Sequence, residues 1–249
     1  MASEKSAGAG PFVGRRLRGA MGAALGGIRA AVRRAAVAPV AVGVLAALAV
    51  ASWQHLTVHF NYRGDWTALF CVGELTQLPP ELANVYRFPG SRGYDGQFYR
   101  LVAHDPWLSL GYAKYADDAE FRWRRIMLPA LAWTLAGGAR QKIDGTYVLL
   151  VLLFTGIGAY TLSRWLRRNG GRPAWGLAFL LLPGTLISID RMTVDVALYC
   201  LLFLCLLWDE ERRDLRLWVG LALCGLTRDI GFLVVGAFVL AEMAALRFR

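Results

Sequence analysis

The chain has 249 residues, of which 56% are hydrophobic, with a formal net charge of +10 and a mean hydropathy of +0.40. Its apolar residues come in uncharged blocks approaching the roughly 17–25 residues of a bilayer-spanning helix, which excludes an ordinary soluble domain and indicates a polytopic membrane protein. The basic excess collects beside those blocks, as cytoplasmic flanks do, and leaves no basic surface for nucleic acid.

Residues 1–35 are rich in Gly and Ala and carry Lys5, Arg15, Arg16, Arg18, Arg29, Arg33 and Arg34. They read as a basic cytoplasmic tail ahead of a first transmembrane helix over 36–53. The run Ala49-Val50-Ala51 mimics a signal-peptide cleavage site, but the long basic region favours a retained anchor. Under either reading, the residues after Trp53 lie outside the cytoplasm.

Half of the chain's Asp and Glu fall in 54–144, which reads as a large first extracytoplasmic loop. Its punctuation at Pro79-Pro80, Pro89-Gly90 and Asp105-Pro106 indicates short helices and turns rather than a sheet. The apolar stretch 126–138 is short and has Pro129 in its first turn. If it crosses the bilayer, seven spans result, and Arg164, Arg167, Arg168 and Arg172 fall outside, against the positive-inside tendency. If it is a half-helix at the outer face, six spans result with both termini inside, the preferred arrangement. Residues 145–249 then form the bundle, with spans over 145–163, 173–189, 192–208, about 211–227 and 230–246. The expected fold class is all-α, a polytopic transmembrane helical bundle of six or seven spans. Cys200, Cys205 and Cys224 fall in apolar segments and Cys71 stands alone in the loop, so no disulfide framework is indicated.

The segment 93–106, GYDGQFYRLVAHDP, is the polar and glycine-punctuated stretch on which a site is expected. Asp95, between Tyr94 and Gly96, is the first catalytic candidate, a carboxylate placed to take a proton from an acceptor hydroxyl. A helix-capping role is the alternative for Asp95; Asp65, in Arg63-Gly-Asp-Trp66 and the same aromatic-turn context, is the second candidate. Arg122 and Arg125 share a helix face. Their planar donor forks match phosphate oxygens, with snorkelling to lipid headgroups as the alternative. Tyr94, Tyr99 and Trp123 offer stacking surface, and Gln97 adds an amide to the substrate-binding set. Asp190, Arg191, Asp195, Arg228 and Asp229 sit at helix ends, where ionisable groups near a bilayer point to function. Pairing that ties two turns together is the alternative for these, and the six-span arrangement puts them on the Asp95 side. Asp117-Asp118 with Glu120 could hold a divalent cation, and His55 and His59 have the spacing of a metal pair on a helix. A solvated turn and an interfacial role account better for those two sets, so no metal site is assigned. His104 reads as a structural loop histidine. The Gly-x-Ser-x-Gly, His-Glu-x-x-His and P-loop patterns are missing.

GYDGQFY…HDP followed by FRWRRIMLPALAW resembles a bacterial branch of the GT-C superfamily of integral membrane glycosyltransferases. Weaker matches are Gly64-Asp-Trp66, the Pro183…Asp190…Asp195 region and Leu226-Thr-Arg-Asp229. The resemblance implies an enzyme of the bacterial cytoplasmic membrane that moves sugar from a polyprenyl-phosphate donor to a glycan or lipid acceptor. It also implies an inverting transfer from a lipid-linked donor with Asp95 as base and Arg122 and Arg125 on the donor phosphate; use of a divalent metal is left open. Such enzymes run on through further spans whereas this chain stops at Arg249, so a fragment, a minimal form or an inactive relative is the expectation, and a scaffold role would add a partner membrane subunit carrying the missing spans. The rival expectation is a non-catalytic transport, flippase or scaffold component.

Overall fold

The computed structural model describes residues 38–211 and 213–247. The basic tail expected over 1–35 lies outside the described residues. The described chain is helical, with no strand beyond two isolated bridges, Val72 with Gly93 and Gly73 with Phe88. Its α-helices are α1 (Pro39–Asn61), α2 (Gly96–His104), α3 (Ala119–Arg124), α4 (Met127–Leu135), α5 (Arg140–Arg168), α6 (Pro183–Arg191), α7 (Asp195–Glu210), α8 (Asp214–Thr227) and α9 (Ile230–Arg247). Tighter 3-10 turns occupy Trp66–Phe70, Pro80–Leu82, Tyr112–Tyr115 and Pro173–Leu181.

The helices α1 and α5 are long and apolar enough to cross a membrane, at 23 and 29 residues. At 1.5 Å per residue they measure about 35 and 44 Å, against a hydrocarbon core of about 30 Å. Both extend beyond the apolar blocks read from sequence. Helix α1 runs on through Gln54, His55 and His59 to Asn61, and α5 opens at Arg140 rather than at Gly145. Interfacial turns tolerate polar residues, so the helix outlasts its hydrophobic stretch.

The stretch expected as one span over 173–189 is broken. A 3-10 helix over Pro173–Leu181 meets α6 at a bend of 62°, and together they make a third candidate span. Pro183 is the cause: it disfavours the helical region for the residue before it, and Leu182 is extended at φ −65° and ψ 130°. Helices α7 and α8 have 16 and 14 residues, and the apolar part of α9 covers Ile230–Ala244. By length and composition, therefore, two or three candidate spans stand where six or seven were expected. The apolar stretch 126–138 folds as the nine-residue α4, about 14 Å long and half of what a crossing needs. Gly137 and Gly138, with φ of +62° and +69°, then turn the chain straight into α5.

Small residues set the helix packing. A Cβ on Gly43 would lie 2.6 Å from the Gly156 carbonyl oxygen, so α1 and α5 meet backbone to backbone. Phe179 packs its ring on Gly158, and Cys205 and Trp208 pack on Gly220. The chain passes along the bundle in alternating directions. One end gathers Arg164 and Arg168 on Glu211, at 2.5 and 3.0 Å; the other gathers Asp190, Arg191, Asp195, Arg228 and Asp229. The segment between α1 and α5 covers that second end. It has a small apolar core of its own, formed by Leu82, Leu101, Val102, Tyr112 and Trp123, on which α2 and α3 sit.

Candidate functional site

The start of α2 is built by close backbone approaches. Gly93 has φ +78°, and a Cβ there would lie 2.5 Å from the Cys71 oxygen, the Gly73 nitrogen and Gln97 Oε1, so only glycine fits. The buried Gln97 amide is the strut of this corner: Oε1 accepts from the Gly73 N–H at 3.1 Å and Nε2 donates to the Arg92 carbonyl at 2.8 Å. It is therefore not free to bind a substrate. Gly96 packs directly on the Arg191 carbonyl at the end of α6, while the Arg191 guanidinium lies 4.7 Å from the centroid of the Tyr94 ring.

Asp95 precedes Gly96 in helical conformation and makes no capping bond with its side chain. Its carboxylate instead reaches across to α3. Arg122 Nη2 donates to Oδ1 at 3.0 Å, and Nη1 stands 3.0 Å from Oδ2, off the line of its N–H. The same guanidinium donates to Asp117 from Nε at 2.9 Å and from Nη2 at 2.7 Å, and its centre lies 4.6 Å from the Phe98 ring centroid. The Arg122 side chain is only 6% exposed, against 39% for Asp95 and 48% for Asp117. Burial opposes the charge on Arg122, but its bonds to Asp117 and Asp95 outweigh that and raise its pKa. The Arg122 hydrogen bond in turn holds the Asp117 carboxyl below its ordinary 3.8.

Arg125 is committed as firmly. Nε and Nη2 donate to Asp229 at 3.1 and 2.6 Å, Nη1 donates to the Tyr99 hydroxyl at 2.9 Å, and the guanidinium centre is 3.6 Å from the Phe121 centroid. Desolvation pushes the Asp229 carboxyl up, but the Arg125 bond prevails and holds it low. The two arginines expected to clamp a phosphate thus have carboxylates already on their forks. Tyr99 is buried under Arg125, and Trp123 is buried with its indole donating to the Asp105 carbonyl at 2.9 Å. Neither ring can stack on a sugar. Of the expected aromatics, Tyr94 alone is exposed.

Asp65 caps the Trp66–Phe70 turn, where Oδ1 accepts from the Thr67 N–H at 2.9 Å and the Thr67 hydroxyl at 2.6 Å. The capping role weighed for Asp95 is thus taken by Asp65 instead. Asp190 accepts from the Trp53 indole at 2.8 Å. The carboxylate of Asp195, buried at the head of α7, is ion-paired with Arg228 and accepts from the Thr193 hydroxyl at 2.9 Å. Asp190, Asp195 and Arg228 share one end of the bundle with Asp95 but are engaged there by Trp53 and by each other. Asp118 caps α3 through Phe121 N at 3.0 Å, and Glu120 faces Arg124 at 3.8 Å, so this acidic run is divided among three tasks.

One cluster has no precedent in the sequence reading. Asp144, in the first turns of α5, accepts from Arg100 Nε and Nη2 at 2.9 Å and lies 2.9 Å from His104 Nε2. Arg100 and His104 stand four residues apart on α2, and that spacing was the one available signal. The cluster fixes the lower face of α2 to α5 and leaves the Asp95 end of the helix free to line a cleft.

That cleft, about 660 Å³ in volume, opens between residues 75–77, 92–95, 97–98 and 114–117. Asp95 and Asp117 lie on it beside Tyr94, Phe98 and Tyr115, with Arg92 and Lys114 also contributing. A half-exposed carboxylate oriented by a buried arginine can accept a proton from a hydroxyl seated in such a cleft. Comparison of the chain with protein-family models, curated proteins and solved structures finds no match.

Proposed function

We propose that the chain is a membrane glycosyltransferase, or the catalytic portion of one, with the cleft as its transfer site. It would pass through the bacterial cytoplasmic membrane six times, along α1, α5, the bent Pro173–Leu181 and α6 pair, α7, α8 and α9, with the cleft on the extracytoplasmic side. Asp95 takes the proton of an acceptor hydroxyl as that oxygen attacks the anomeric carbon. The bond from sugar to polyprenyl phosphate breaks on the opposite face, inverting the centre, and the phosphate leaves with the electron pair. Arg122 is a positioning residue that aims the Asp95 carboxylate. Tyr94 and Phe98 supply apolar surface for a sugar ring.

One observation carries this reading. Asp95 heads a helix it does not cap, and its carboxylate, on one arginine, remains 39% exposed on an open cleft. Asp118, whose backbone is extended, turns its carboxylate back onto the helix N–H groups, whereas Asp95, whose backbone is helical, projects its carboxylate away from its own helix onto the cleft. The test is mass spectrometry of surface glycans from wild-type, deletion and Asp95→Asn-complemented strains. Loss of a defined sugar on deletion, unrestored by Asp95→Asn at normal membrane levels, supports the reading. Full restoration by Asp95→Asn overturns it.

A second reading, a non-catalytic scaffold or transport component, is favoured by the pairing of both Arg122 and Arg125 within the chain. It predicts full restoration by Asp95→Asn and co-purification with a catalytic membrane subunit.

A further inference from the structure

The cleft carries four charged residues, and they divide sharply. Asp95 and Asp117 share Arg122. Arg92 and Lys114 have no acidic partner among the described residues, although both are exposed on the same cleft. Neither is placed at random. The Arg92 carbonyl is held from two sides, by Gln97 Nε2 and by the Thr76 hydroxyl, each at 2.8 Å. The Lys114 ammonium lies 5.1 Å from the Tyr115 ring centroid. The backbone of one cation and the ammonium of the other are thus anchored at the cleft, while both charges stay unneutralised. The arginines that resemble a phosphate clamp in sequence are spent on carboxylates, so an incoming anion meets Arg92 and Lys114 first.

We propose that Arg92 and Lys114 form an anion-holding pair and that the cleft takes a substrate bearing a phosphate or carboxylate within reach of Asp95. The inference rests on the cleft being the substrate site of the proposed transferase. A guanidinium offers a fork to such a group and an ammonium a point charge. Together they offset the repulsion that Asp95 and Asp117 would exert on an anion. The shared chemistry has two sources, the phosphate of the lipid-linked donor or an acidic group on the acceptor sugar.

The experiment is equilibrium binding to the full chain in nanodiscs, with farnesyl phosphate, farnesol, methyl glucuronide and methyl glucoside as probes. Wild type, Arg92→Gln, Lys114→Gln, the double variant and Arg92→Lys are compared, with melting curves confirming the fold of each. The expected result is tighter binding of one anionic probe than of its neutral counterpart. Each neutralisation weakens that probe about tenfold, as loss of a charge-assisted contact does, Arg92→Lys retains most of the binding, and the neutral probes are unmoved. Selectivity for farnesyl phosphate assigns the pair to the donor; selectivity for methyl glucuronide assigns it to the acceptor. Equal binding of anionic and neutral probes, no binding of any probe, or unchanged affinity in the folded double variant overturns the inference. Those outcomes are separate from the glycan test on Asp95→Asn, which can fail while anion selectivity stands.

Discussion

Replacing Arg122 with Gln removes three hydrogen bonds to two carboxylates, at 2.9, 2.7 and 3.0 Å, and a guanidinium packed over Phe98. An exposed ion pair is worth about 0–1 kcal/mol, and breaking a fully buried one costs about 3–5 kcal/mol. The arginine is 6% exposed but its partners are 39% and 48% exposed, so water takes over part of what each carboxylate loses. That places the cost at about 2–4 kcal/mol. For a chain of this size it is a fall in Tm on the order of 5–15 °C, read by tryptophan fluorescence in detergent micelles. Arg122→Lys keeps a charge but loses the fork, and recovers less than half of the difference.

The pH dependence has a definite sign. Asp117 titrates below its ordinary 3.8 in the folded chain because of Arg122, so its contribution is fully present above that value and is lost as the pH falls through the lower folded pKa. The gap between wild type and Arg122→Gln should therefore be constant near neutrality and shrink as the pH falls below 3.8. A variant melting within about 1 °C of wild type at neutral pH, well inside the shift expected for a broken ion pair, would show the pairing contributes nothing and refute the reasoning.

Two further variants probe the neighbourhood. Asp65→Ala removes a cap and should cost about 0.5–2 kcal/mol in a melt while leaving surface glycans unchanged; a lost sugar at normal membrane levels would restore Asp65 as a catalytic candidate. Gly96→Ala drives a methyl group into the Arg191 carbonyl, so about 1–3 kcal/mol of stability should go, together with the positioning of Asp95. A variant as stable as wild type would mean that the close approach of α2 to α6 is not required.

What the sequence conveys about this fold depends on how local each feature is. The membrane character of α1 and α5 rests on their own composition, and the Gly93-Tyr-Asp-Gly96 turn on the demands of its glycines. The break at Leu182–Pro183 was equally local, since Pro183 announces it, but a continuous apolar count over 173–189 passes over such a signal. The ion pairs are another matter. Arg125 finds Asp229 across 104 residues and Arg100 finds Asp144 across 44. Nothing near an arginine in sequence distinguishes a fork that will hold a ligand from one that will hold a distant carboxylate. Asp117 illustrates the same point at short range: an acidic run reads as a solvated turn or a cation site until the helix beside it turns Arg122 back onto it.

The Arg125–Asp229 bridge also orders events in time. A ribosome adding about 5–20 residues per second takes about 5–20 s to cover the 104 positions between them. Throughout that interval Arg125 has been made and still lacks its counter-ion. Asp144 arrives first and can fasten α2 to α5, so the lower half of the segment sets early. The junction of α3 and α4 closes only when the turn between α8 and α9 emerges. The bonds that shape the cleft itself, from Arg122 to Asp95 and Asp117, join partners 27 and 5 residues apart and do not wait for Asp229.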